Sequence, residues 1–150
     1  MRALTRKNMK IRDATLCDAP TIYAVDPMAM EEGNRRQQIR GWLSAGNAVV
    51  AVIDGVAVGY AVLEYTFFGR GFISMLMVEK ESRRKGVATS LVTRLEERCE
   101  TDKLFTSTNE SNKPMQALMQ SMSYEPSGTV YNLDDGDPEL FYVKRLERTR

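Results

Sequence analysis

At 150 residues the chain has the length of one ordinary domain, enough to bury a sizeable core. Lys and Arg number 21 against 20 Asp and Glu, a near-neutral balance that argues against a dedicated nucleic-acid binder. The absence of histidine excludes His-dependent triads, His metal sites and a His general base, and no metal is called for. Cys17 and Cys99 form no C-x-x-C pattern, so neither a disulfide framework nor a zinc knuckle is suggested, and a reduced, cytoplasmic setting is expected.

The chain opens with MRALTRKNMK, basic and without an apolar core of its own, so no signal peptide is indicated. Residues 1–8 read as a flexible leader, and 9–150 as a single domain without repeat, low-complexity tract or linker. Met9 to Arg12 is a candidate first strand. Asp13 to Asp18 offers several N-caps to a short helix carrying Ile22, Tyr23 and Val25, which Asp26-Pro27 stops. After a loop, MAMEEG, a second helix is expected from Asn34 to Ala45, with Ile39, Trp42 and Leu43 inward and Gly46 as its C-terminal cap.

Ala48 to Ile53 and Val56 to Tyr65 flank Asp54-Gly55, the strongest hairpin signal in the chain. The turn also breaks the longest apolar run, which therefore reads as a hairpin and not as a membrane span. A second turn, Gly69-Arg70-Gly71, leads into the near-continuous apolar run Phe72 to Val78, a buried strand. Then come Arg83-Arg84-Lys85-Gly86-Val87-Ala88 and a helix whose inner face is Val87, Leu91, Val92 and Leu95, with Arg94, Glu96, Glu97 and Arg98 opposite. Three cations precede a residue with no side chain, at a helix start whose first amides lack internal partners. Such a junction suits an anion, phosphate above all.

Beyond it, Leu104 to Thr108 should be a fifth strand, parallel to the fourth because a strand-helix-strand unit crosses over right-handed. A helix from about Lys113-Pro114 through Ala117, Leu118 and Met122 follows, with Pro near its first turn. Gly128 to Leu133 and Leu140 to Lys144 form a last pair around the loop DDGDP.

A strand-loop-helix with glycine also describes nucleotide folds, but neither Gly-x-x-x-x-Gly-Lys-Ser/Thr nor Gly-x-Gly-x-x-Gly is present. What is present is Arg-x-x-Gly-x-Ala (Arg83 to Ala88), after a strand ending in Leu76-x-Val78. In this motif, and in its order of elements from Met9 onward, the chain resembles the GNAT superfamily of acyl-CoA-dependent N-acyltransferases. The plain alternative is a basic loop capped onto a helix.

The resemblance implies an α/β (α+β) fold: a mixed, mostly antiparallel sheet of about seven strands with four helices, strands 4 and 5 parallel and splayed. It implies acetyl-CoA as co-substrate, its pyrophosphate on the Arg83, Arg84, Lys85, Gly86, Val87, Ala88 and Thr89 segment. The pantetheine would bond the strand backbone of Leu76, Met77 and Val78. Asn112, in Thr108-Asn109-Glu110-Ser111-Asn112, takes the position whose side chain contacts the pantetheine in the family; helix capping is its structural alternative. The reaction implied is direct attack of a primary amine on the thioester in a ternary complex, with the amide of Val78 or its neighbour holding the oxyanion.

The general acid is where the chain departs from the family. The usual tyrosine is replaced by Met119, and a thioether has no proton to give. Tyr124, at an aromatic position that normally packs in the core, is the candidate substitute. Glu79 and Glu64 are candidate bases, or plain surface carboxylates. The family's acceptor groove would be lined here by Met28, Met30, Glu31, Glu32 and Trp42, by Tyr65, Phe67 and Phe68, and by Asp134, Asp135 and Asp137. Acidic and aromatic groups suit a small cationic amine with an apolar body; the alternatives are a solvated turn and aromatics used in the core or in a homodimer. Neither nucleic acid nor membrane is expected as a partner. The rival to an enzyme is a non-catalytic acyl-CoA-binding module, which Met119 keeps open.

Overall fold

The computed structural model describes residues 8–31, 33–83 and 86–147. The expected leader, Glu32, Arg84 and Lys85 therefore lie wholly or largely outside the described residues. Seven strands hydrogen-bond in the order β1-β2-β3-β4-β5-β7-β6: β1 Met9–Asp13, β2 Ala48–Ile53, β3 Val56–Phe67, β4 Arg70–Val78, β5 Lys103–Asn109, β6 Glu125–Val130 and β7 Glu139–Arg145. The α-helices among the described residues are α1 Ala19–Val25, α2 Pro27–Glu31, α3 Gly33–Ser44, α4 Val87–Arg98 and α5 Lys113–Ser121. No helix of the described residues is long and apolar enough to cross a membrane.

One helix more than expected forms because Asp26-Pro27 starts a helix as well as ending one. Asp26 Oδ1 accepts the Met28 N–H at 3.0 Å, and Pro27, which has no N–H to lose, takes the first helical position. Most of the expected MAMEEG loop is accordingly α2.

The chain forms two compact units, 1–63 with 74–98, and 64–73 with 99–150. In the first, β1 runs antiparallel to β2 and β2 antiparallel to β3. Asp54 and Gly55 sit at φ 51° and 80°, the left-handed pair that a two-residue hairpin needs. Ile22, Ile39, Leu43, Val50, Tyr60 and Val62 make its core, with Trp42, Met75 and Met77 packed against it. Gly46, at φ 74°, closes α3: its N–H donates to Leu43 and the Asn47 N–H to Trp42. In α4, Val87, Leu91, Val92 and Leu95 are all buried, as their i, i+4, i+5, i+8 spacing requires.

In the second unit, β4 and β5 are parallel, but their register covers only Gly71–Leu104, Phe72–Phe105 and Ile73–Thr106. Thr106 Oγ1 donates to the Ile73 carbonyl at the last of these steps. β5 pairs antiparallel with β7 over its whole length, and β6 with β7 through a shift between Pro126 and Gly128. Strand β5 alternates, burying Leu104, Thr106 and Thr108 while Phe105 joins Phe67, Phe72 and Phe141 in an aromatic cluster with ring centroids 5.0–5.5 Å from Phe67. The turn into β4 is Phe68-Gly69, one step earlier than expected, with Phe68 at φ 53° and 81 % exposed.

Candidate active site

The first unit carries the loop and the end of β4. The Ser90 N–H donates to the Gly86 carbonyl at 3.0 Å, the opening bond of α4. The amides of Val87, Ala88 and Thr89 therefore stand in the first turn, where no helical acceptor exists. Gly86 has φ 80°, which a side chain adopts only with strain. Val87 is buried and packs inward, while Ala88 is half-buried and Thr89 exposed, so small side chains flank these first-turn amides. Arg83 turns back: its Nε donates 3.1 Å to the Val78 carbonyl, tying the loop to the strand it leaves.

Strand alternation sorts the candidate backbone groups of β4. The Glu79 N–H donates 2.8 Å to the Val58 carbonyl, so it belongs to the β3 side. Successive residues of a strand point their N–H and C=O to opposite edges. Met77 shares the β3 side with Glu79, while Leu76 and Val78 point away from β3. The neighbour of Val78 is thus spoken for, and of the amides considered for an oxyanion that of Val78 is left. Close approach of the strands here depends on Gly59, where a Cβ would lie 2.8 Å from the Met77 carbonyl oxygen. The Glu79 side chain is half-buried and accepts from Ser82 Oγ at 2.8 Å.

In the second unit, Asn112 caps α5: its Oδ1 accepts the Met115 N–H at 3.2 Å. Met119 is fully buried, and Tyr124 is 4 % exposed, with the Lys144 ammonium 5.5 Å above its ring and its N–H on the Met119 carbonyl. Glu64 and Tyr65 lie in this unit too; the Tyr65 hydroxyl accepts the Glu100 N–H. Two carboxylates expected to face an acceptor are engaged inside the unit. Asp134 takes Asn109 Nδ2 at 2.9 Å, and Asp137 takes the Ser111 N–H at 2.9 Å and its hydroxyl.

A buried polar cluster in the first unit has no counterpart in the sequence reading. Asp26 is fully buried; its Oδ2 accepts from Tyr60 Oη at 2.6 Å and Arg35 Nη1 at 2.8 Å. Burial, and then the bond to Asp26, hold the Tyr60 hydroxyl well above the ordinary phenol range. Tyr60 lies 34 residues from Asp26, and no local pattern announces such a pair.

The acetyltransferase (GNAT) family model matches residues 11–124. The chain belongs to this family. A GNAT-family acetyltransferase from Bacillus cereus ATCC 10987 is 31 % identical, with a TM-score of 0.88 over 93 % of this chain and 99 % of that one. A ribosomal-protein-alanine N-acetyltransferase from Brucella melitensis is 25 % identical, with a TM-score of 0.77 over 91 % and 99 %. At 18 % identity, yncA of Salmonella typhimurium, solved with its cofactor acetyl-CoA, shares the fold over 95 % and 96 %, with a TM-score of 0.76. No curated protein sequence matches the chain. As a GNAT acetyltransferase the chain is an enzyme whose acetyl donor is acetyl-CoA.

Proposed function

We propose that this acetyltransferase moves an acetyl group from acetyl-CoA to the primary amine of a small molecule by direct attack in a ternary complex. The observation that carries this reading is Gly86 at φ 80° immediately before α4, which leaves the first-turn amides of Val87, Ala88 and Thr89 for the pyrophosphate. Arg84 and Lys85 supply charge on the same segment, and Leu76, Val78 and Asn112 take the pantetheine.

In the step itself, the amine nitrogen attacks the thioester carbon and the Val78 N–H stabilises the charge developing on its oxygen. The carbon–sulfur bond then breaks, and the amine proton leaves to Glu79 directly or through water. Tyr124 is the hydroxyl assigned to reprotonate the thiolate; Met119 cannot do so. A coenzyme A thiolate leaves tolerably without help, so a weak acid lowers the rate by no more than about 10²–10⁴-fold.

The acceptor is read as small and cationic with an apolar body, which the exposed Asp135, Tyr131 and Leu133 of the second unit suit. A peptide N-terminal amine is the second reading. One observation favours it: Asp134 and Asp137 already accept from Asn109 and Ser111, so fewer of their acceptor positions remain to hold the ammonium groups of a polyamine.

Thiol release from acetyl-CoA, measured against polyamines, aminoglycosides, amino acids and short peptides, tests the proposal. Release that depends on a small amine supports it, and release with peptides alone supports the second reading. Saturable acetyl-CoA binding without release from any acceptor would make the chain a non-catalytic acyl-CoA-binding module.

A further inference from the structure

Within the second unit, the connection between β6 and β7 is tied at several points to the turn between β5 and α5. The Glu110 N–H donates to the Pro138 carbonyl at 2.8 Å, and Asn109 Nδ2 reaches both Asp134 Oδ2 and the Asp137 carbonyl. The Asp137 side chain takes two donors from one residue: the Ser111 N–H at 2.9 Å on Oδ1 and the Ser111 hydroxyl at 2.5 Å on Oδ2. The far side of that turn is held as firmly, because Gln116 Nε2 donates to the Glu110 carbonyl at 2.6 Å and Asn112 caps α5.

The loop has little else to order it. All of β6 is exposed, as are Tyr131 and Leu133, at 68 % and 63 %. Burial contributes little there, so polar anchors set the loop's position. Bonds to a charged acceptor are about twice as strong as neutral ones, which makes Asp137 the principal anchor.

We infer that Asp137 is a positioning residue that couples the β6–β7 loop, residues 131–138, to the turn carrying Asn112. Acetyl-CoA held at Asn112 would then order the loop, and an ordered loop would favour acetyl-CoA, since coupling between two segments is reciprocal. The inference rests on the assignment of Asn112 to the pantetheine.

Hydrogen exchange of the full chain, with and without saturating acetyl-CoA, tests it in wild type and Asp137→Asn. In wild type, acetyl-CoA should slow exchange both at the start of α4 and across 131–138, the latter by about 5-fold or more, the lower range of measured couplings. In Asp137→Asn the α4 protection should remain and the loop protection should vanish. A loop unaffected in wild type, or slowed equally in the variant, would overturn the coupling while leaving the α4 site standing. A wild type in which neither segment responds would overturn the functional reading, and the coupling with it. If Asp137→Asn does not fold, Ser111→Ala decides the matter: it removes the hydroxyl bond alone and should reduce the loop's response, and an undiminished response would overturn the inference.

Discussion

The hydroxyl of Tyr60 on β3 donates 2.6 Å to Asp26, the residue between α1 and α2, whose carboxylate is closed off from solvent. Arg35 on α3 reaches the same oxygen, so one buried charge joins three helices to the sheet of the first unit. Tyr60→Phe should cost about 1.5–3 kcal/mol, the range for a hydrogen bond to a charged group. Asp26→Ala, which strands Arg35 and Tyr60, should cost about 3–5 kcal/mol. Urea midpoints at neutral pH check both, and equal stability of wild type and Tyr60→Phe would contradict the account.

The same pair gives a signed pH dependence. The Tyr60 pKa is raised in the folded protein, so an unfolded chain loses this proton first, at about pH 10. Its contribution is complete below that pH and falls away as pH rises above it. Asp18 has the opposite sign. The bond from Arg12 holds it below the usual carboxylate range, so its contribution is present above about pH 4 and lost on further acidification. Wild type should destabilise more steeply than Tyr60→Phe above pH 10, and more steeply than Asp18→Asn below pH 4, in unfolding curves across pH.

Gly59 and Met77 make a second test. A methyl at Gly59 would meet a backbone oxygen at 2.8 Å, and backbone cannot rotate aside as a side chain can. Gly59→Ala should therefore displace the end of β4, where Val78 is assigned to the oxyanion. A fall in kcat of about 10²-fold, the scale for a misplaced oxyanion donor, is the expected result in steady-state kinetics. Weaker acetyl-CoA binding by calorimetry should accompany it, because Leu76 and Val78 are also assigned to the pantetheine.

Much of this was legible in the sequence, because its signals were local. The Asp54-Gly55 hairpin, the buried stripe of α4, the Gly46 cap and the parallel pairing of β4 with β5 each follow from short patterns. The α2 helix was not legible, because Asp-Pro reads as a stop and as a start with equal force. The side-chain pairs were harder still: nothing near Asp26 names Tyr60, and nothing in DDGDP tells that two of its aspartates close on Asn109 and Ser111. A loop of acids looks the same whether it awaits a cation or satisfies its own chain.

The missing tyrosine on α5 sets a third test. Met119 is fully buried, so Met119→Tyr must push a larger side chain and its hydroxyl into a filled space, at a cost of about 1–3 kcal/mol. Turnover is expected to rise only if that hydroxyl reaches the thiolate; Tyr124→Phe should lower it by about 10²-fold if Tyr124 is the acid. Unchanged turnover in a folded Tyr124→Phe would remove Tyr124 from the mechanism.

The most direct test of the central assignment is a calorimetric titration of acetyl-CoA into wild type and into Gly86→Glu, each checked for folding by circular dichroism. A side chain at φ 80° and a negative charge both oppose a pyrophosphate on the first turn of α4, and like charges at such a site cost several kcal/mol. Saturable binding in wild type and at least about 100-fold weaker binding in the variant are the expected result. Equal affinity in a folded Gly86→Glu would contradict it.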